Sequence, residues 1–525
     1  MGRKKKELPK IEVKEMNQHS ANGTLDTNKN SNQTDVILKY WDNIFKMGAR
    51  ELLVEIMGTK PCKEEAESFD DKKISTVVDK WNEFLLQSQI YISKLLKAEN
   101  LSFLFGAGPS IPLGAITIRN IPLKLEYQIH QKLSTNSNEI KLLYEILEYL
   151  MGSRPFSQAD IPARFNSISQ LVTEGNTENI KKQEIKITLE DLLSFLYCIR
   201  SGIVTPFKNQ NSCTSLNIIT LINGEKEIKV SLQVLDGLIV AIKREYFSLL
   251  SKVPDPSIKN PLTAHKQFLK KILTRPLNLR RPKIFTTNND LLIEQAMDEL
   301  GIMYLDGFIG TTRRTFRPEC YNYDFYFPST STEGKVHRVD QVIHFYKIHG
   351  SINWVASFDT PENIYGIETK DIKTIEKEEK YHDIMIYPTP LKHEFTLDFP
   401  YSDLFRRFAD AITQPQSVLV TIGYSFADDH VNRIIYQALT IPSFTLLIVD
   451  PVADENKEMK RLIALEDSRI HIISGRDIGT FEGFTKKLLP DIKELEVYEK
   501  SAKSARRMLR IEESSSENST FGEEE

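Results

Sequence analysis

The sequence predicts an α/β fold with a Rossmann-like, doubly wound parallel sheet. Three observations point there. Short runs such as Leu101–Phe105, Ser417–Ile422 and Phe444–Val449 are nearly continuous in apolar residues, as strands buried on both faces are. From Lys283 onward such runs alternate with helical patterns, the order expected of a parallel sheet. Several runs pass directly into small or polar residues, which is the composition of the ligand-facing strand ends in an open sheet.

Taken in order, residues 1–35 are polar and rich in Lys, Asn and Thr, and are expected to form a disordered tail. Residues 36–98 read as N-terminal helices. Val36, Leu38, Trp41, Ile44 and Phe45 follow helical spacing, and Val77, Val78, Trp81, Phe84 and Leu85 form a second series. Residues 99–490 are expected to form one catalytic domain that opens on the Leu101–Phe105 strand. Residues of about 120–281 read mostly helical, with Leu235, Leu238, Ile239 and Ile242 as one stripe, and are expected to be a large helical insertion. Ile284–Thr287 is the next strand. Ile293, Ala296, Met297 and Leu300 line a helix face that ends at Gly301. Residues 302–350 suit short strands or hairpins. Val431, Ile434, Ile435, Ala438 and Leu439 make a further helix, and Arg469–Ile473 a further strand. Residues 491–525 are expected to be a helix end followed by an acidic disordered tail.

Composition narrows the class. Among 525 residues, 68 are basic and 72 acidic, so no global field marks a nucleic-acid or membrane binder, and direct nucleic-acid binding is left open. Four cysteines without a CxxC pair argue against a disulfide scaffold and against a zinc ribbon, and no metal is expected. No secretory signal and no membrane-length apolar run is present, so a reducing cytoplasm is the expected compartment.

Four separated segments carry chemistry. Gly106-Ala107-Gly108 follows a strand, with Ser110 and Gly114 downstream. Glycines there allow close approach of a pyrophosphate, with free N–H groups of the next turn as anion ligands. For a lone GxG, a tight turn without a ligand is the better reading. Thr286-Thr287-Asn288-Asn289-Asp290 ends a strand, where Asn and Asp serve as helix caps or as ligands to hydroxyls and water. His349-Gly350-Ser351 offers an imidazole that titrates near neutrality, suited to accepting a proton. Gly423-Tyr424-Ser425 ends a further strand, with Asp428 and Asp429 in the first turn of a helix, where carboxylates favour the macrodipole. Asp450 and Gly475-Arg476-Asp477 stand at two more strand ends.

In this order the segments resemble the NAD-binding core of the sirtuin family. Gly106, Ala107, Gly108, Ser110, Gly114 and Arg119 match its GAG-x-S pattern, while Ala115–Ile118 depart from its I-P-D-F. Thr287, Asn288 and Asp290 match T-Q-N-I-D, His349 matches the family's HG, and Gly423 and Ser425 match GTS. The resemblance implies NAD+ as substrate, with Asn288 and His349 catalytic. It also implies that Gly106, Ala107, Gly108, Ser110, Arg119, Thr287, Asp290, Gly423, Ser425 and Asp450 bind the nucleotide.

The family's ribose-shielding Phe and the zinc-ribbon cysteines that wall its acyl-lysine channel have no counterpart here, which speaks against protein deacylation. TTN-x-D, HGS-x-x-W and GYSF-x-D-x-H are most similar to the prokaryotic sirtuin-like antiphage proteins, and Tyr387–Pro390 with Tyr401–Phe408 to members paired with a HerA-type hexameric ATPase. That resemblance implies NAD+ glycohydrolysis in abortive infection, assembly as a homo-oligomer, and a HerA-type partner by analogy. A protein deacylase and a catalytically silent nucleotide-binding scaffold are the alternatives.

Overall fold

The computed structural model describes residues 35–115, 121–133, 137–151, 189–204, 218–223, 226–328, 335–357, 361–381, 384–386 and 399–493. Arg119, the Tyr387–Pro390 segment and nearly all of both expected tails lie outside them.

Nine strands form the central sheet. In chain order they are β1 (Ile44–Met47), β2 (Arg50–Glu51), β3 (Asn100–Phe105), β4 (Lys283–Thr286), β5 (Met303–Leu305), β6 (Val342–Lys347), β7 (Ser417–Ile422), β8 (Thr445–Val449) and β9 (Ile470–Ser474). Their spatial order is β2-β1-β9-β8-β7-β3-β4-β6-β5. Every pairing from β9 to β5 is parallel, and β1 closes the other side antiparallel to β9. This is the doubly wound sheet expected from the sequence.

Alternate residues of each strand go to opposite faces. Phe103 and Phe105 of β3 join one apolar cluster with the helices Asp71–Leu96, Thr263–Ile272 and Leu292–Leu300. Leu104 joins another with the helices Tyr401–Ile412, Asp429–Leu439 and Lys457–Ala464. Both faces are therefore covered, and that is why the strands need apolar residues at consecutive positions. Caps fix where the covering helices begin. Asp70 accepts from the Lys73 N–H at 2.7 Å, Asn456 from Glu458 and Met459, and Asp428 from His430 and Val431. Gly301 ends Leu292–Leu300 in the left-handed conformation, at φ +66°.

Two expectations need correction. Ile44 and Phe45 are strand, not helix. Phe45 is fully buried opposite Ile473, and the β1 backbone satisfies the edge of β9. A run of two apolar residues at i and i+1 fits either period, and pairing to a distant edge decided between them. The region 120–281 also divides. Ile121–Lys132, Asn138–Met151, Leu189–Val204 and Leu232–Leu250 share a core of their own and carry an unforeseen hairpin, Ile218–Asn223 with Lys226–Ser231. Thr263–Ile272 instead packs on the main sheet through Phe268, Leu269 and Ile272.

A five-stranded antiparallel sheet is built from two strands that precede β6 and three that follow it. It runs Ile384–Ile386, Gly350–Ala356, Ile367–Thr369, Arg314–Phe316 and Phe308–Ile309. No described helix is long and apolar enough to cross a membrane.

Candidate active site

The path of the chain brings the polar segments together. From β3 it proceeds to β4 and β6 on one side, then returns to β7 on the other side of β3 before continuing to β8 and β9. The C-terminal ends of β3 and β7 thus flank the crevice where an open sheet takes its ligands.

Gly106 and Gly108 lie in that crevice against Gly423. The Gly106 N–H donates to the Ile422 carbonyl at 3.1 Å, and the Gly108 N–H to the Gly423 carbonyl at 3.0 Å. A Cβ on Gly108 would stand 2.5 Å from the Gly423 Cα, and one on Gly106 would overlap the Gly423 carbonyl. Gly423 itself sits at φ +58°. The two loops thus demand glycine of each other, before any ligand is considered.

Here the amide groups differ from expectation. Those of Gly108, Ser110 and Ile111 are committed to protein carbonyls, and the next turn is a three-residue 3-10 segment, Ile111–Leu113, ended by Gly114 at φ +96°.

Ser110 links this loop to β4. Its Oγ donates to Asp290 Oδ2 at 2.7 Å and accepts from Asn288 Nδ2 at 3.1 Å. Asn288 Nδ2 also donates to the Gly106 carbonyl at 2.7 Å. A carbonyl only accepts, so the amide nitrogen must face it and the amide oxygen faces away. Asp290 Oδ1 takes the N–H of Leu292 at 3.2 Å. Thr287 ties its N–H to the Phe105 carbonyl at 3.0 Å, which keeps the two strand ends side by side.

Asn289, the neighbour of Asn288, points elsewhere. Its Nδ2 donates to the carbonyls of His349 (2.8 Å) and Gly350 (3.1 Å), and its Oδ1 accepts from the Tyr246 hydroxyl at 3.0 Å. Tyr246 belongs to Leu232–Leu250, so the separate helical core reaches this loop.

β4 and β6 pair in parallel with Thr286 opposite Lys347. Asn288 and His349 each follow by two residues, so they stand abreast. Beneath them Lys347 is buried. Its Nζ meets Glu294 Oε1 at 2.6 Å and donates to the Asp290 carbonyl. Burial pushes the Glu294 carboxyl up, while the Lys347 ammonium pulls the other way. The His349 side chain is 8% exposed, and its Nε2 lies 3.0 Å from Asp428 Oδ2.

Asp428 is the residue that sequence reasoning missed as part of the site. The sequence reads it as a first-turn carboxylate; it is instead the N-cap of Asp429–Leu439, and its second oxygen faces His349. The available signal was its fixed place in GYSF-x-D-x-H. Ser425 and Asp450 lie on the neighbouring strand ends. Ser425 is exposed and its carbonyl accepts from Asn456 Nδ2 at 2.6 Å. Asp450 is buried and accepts the Val452 N–H at 2.9 Å, and burial raises its carboxyl above the ordinary range. Among the described residues no cluster of His, Cys, Asp or Glu is arranged to hold a metal.

Residues 282–473 match the family model described as a SIR2-like domain. The Gly106–Gly108 loop lies outside that segment. A search of curated proteins found no match. The matched segment takes in β4 through most of β9, together with Asn288, His349 and Asp428, and that part of the chain is similar to Sir2-type domains.

Proposed function

We propose that the protein is an NAD+ glycohydrolase, cleaving NAD+ to ADP-ribose and nicotinamide. The observation that carries this reading is the pair Asn288 and His349, abreast on adjacent strand ends, with the Asn288 amide oriented by Gly106 and Ser110. The SIR2-like match favours NAD-related chemistry in general. The glycosidic bond from ribose C1′ to the pyridinium nitrogen breaks, and its electron pair leaves with nicotinamide. The leaving group is neutral, so no acid is required, unlike ordinary glycoside hydrolysis. Water supplies the new bond to C1′ and gives its proton to His349 as base. The Asn288 amide oxygen accepts from that water or from a ribose hydroxyl. Asp290, held by Ser110, fixes the ribose side. Gly106, Ala107, Gly108, Thr287, Gly423, Ser425 and Asp450 lie along the strand ends where the rest of the nucleotide would run, and Arg119 is assigned to it by resemblance alone.

The biological setting proposed is NAD+ depletion in antiphage defence, as a homo-oligomer beside a HerA-type ATPase. It is supported by the motif resemblance. The test is NAD+ consumption by purified protein, wild type beside His349→Ala, with products separated by chromatography. ADP-ribose and nicotinamide from wild type alone are expected. Equal turnover by both proteins would remove His349 from the reaction, and an acylated-peptide requirement would turn the reading to deacylation.

A further inference from the structure

We infer that Asp428 is a positioning residue for His349, orienting its ring and supplying the counter-charge when the imidazole takes a proton. The inference rests on the assignment of His349 as base.

The carboxylate is divided between two tasks. Oδ1 caps the helix Asp429–Leu439, accepting from the His430 and Val431 N–H groups at 2.8 and 3.3 Å. Oδ2 lies 3.0 Å from His349 Nε2, and both side chains are 8% exposed. Capping needs only a short side-chain acceptor, and Ser or Asn serves equally. A carboxylate whose second oxygen is spent on a buried imidazole does more than a cap requires.

The loop that delivers Asp428 is built firmly. The Tyr424 hydroxyl lies within hydrogen-bonding distance of the Asp428 carbonyl (3.2 Å) and Asn432 Oδ1 (3.0 Å), and Asn432 Nδ2 donates to the Phe426 carbonyl at 2.8 Å. Phe426 takes a left-handed backbone, φ +53°, at the turn into the helix. The other side of His349 is equally held. Asn289 fixes its carbonyl, and the Phe405 ring from Tyr401–Ile412 lies 6.2 Å from the imidazole, centroid to centroid.

Charge gives the contact its consequence. A protonated His349 would lie near the N-terminus of Asp429–Leu439, whose partial positive charge opposes it. Asp428 stands between them and offsets that repulsion. The other charged groups nearby have different partners. Lys347 meets Glu294, and Asp290 accepts from Ser110. Tyr246 and Asn289 contribute no charge.

The test separates cap from counter-charge. Asp428→Asn and Asp428→Ser both keep a capping oxygen, and neither brings a negative charge to His349. Deuterium exchange at the imidazole C2 position, read by peptide mass spectrometry across pH, reports the His349 titration directly. Both variants are expected to melt close to wild type, to change the pH dependence of C2 exchange at His349, and to lose about 100-fold in kcat with KM for NAD+ nearly unchanged. An unchanged His349 titration in Asp428→Asn would overturn the inference, whatever the activity. So would full kcat in that variant when His349→Ala is inactive, and the glycohydrolase reading would then survive alone. Wild type without NAD+ turnover would instead strike the glycohydrolase reading, and the exchange data would still decide the contact.

Discussion

Where β3 meets β7, backbone touches backbone; where β4 meets β6, side chains make the connections. The first junction is Gly106 and Gly108 against Gly423, with no room for a Cβ on any of them. The second is Asn288, Asn289, Asp290 and His349, joined through Ser110, Tyr246 and Asp428. One junction is specified by what its residues lack, the other by the polar groups they carry. A backbone contact has no rotamer to give, so it tolerates no substitution. A side-chain network can lose one member and leave the chain in place.

The largest expected effect follows at the glycine junction. Gly108→Ala drives a Cβ into the Gly423 backbone, which cannot swing aside, and should cost roughly 3 kcal/mol or more. Chemical denaturation checks this, and near-wild-type stability would show that the loops can part. Asn288→Ala should act the opposite way. NAD+ turnover should fall about 100-fold or more while the melting temperature stays close to wild type, read by product chromatography beside calorimetry. Asn289→Ala, one residue along, should mainly cost stability. It removes the bonds to the His349 and Gly350 carbonyls and to the Tyr246 hydroxyl, a loss of about 2 kcal/mol. A purely catalytic defect there would break the distinction between the two asparagines.

The smallest effect belongs to Asp450. Its folded carboxyl titrates above the ordinary range, so the native state favours the proton and the ionised form costs stability at neutral pH. Asp450→Asn keeps an oxygen for the Val452 N–H. It should raise the melting temperature slightly at pH 7, and the gain should shrink as pH falls towards 4.

Much of this was legible in the chain. Strands buried on both faces leave nearly continuous apolar runs, and Leu101–Phe105 and Ser417–Ile422 carry that mark. The strand ends were readable because glycine, asparagine and histidine directly after an apolar run are unusual company. The reason for the glycines was not readable. A sequence shows that Gly106 and Gly108 lack side chains, but only the pairing of β3 with β7 shows that Gly423 fills the space. Asp428 illustrates the same limit, since its helix-capping role is local and its approach to His349 depends on where two strand ends meet. Ile44 and Phe45 failed for a related cause, because the edge of β9 that recruits them is far away in sequence.

The position of β3 also bears on how the molecule is made. Its Asn100 bonds to Pro415, 315 residues downstream, and Ser110 bonds to Asp290, 180 residues downstream. A ribosome has therefore released the first half of the crevice long before the second half exists. Until β7 is synthesised, β3 has an open flank, with the carbonyls and amides of its inner edge unpaired. Closing so long a loop is slow, although each doubling of its length adds only about 0.6 kcal/mol. The crevice between β3 and β7 is consequently among the last parts of the chain to be completed, and any chaperone that shields a nascent strand edge has its longest task at β3.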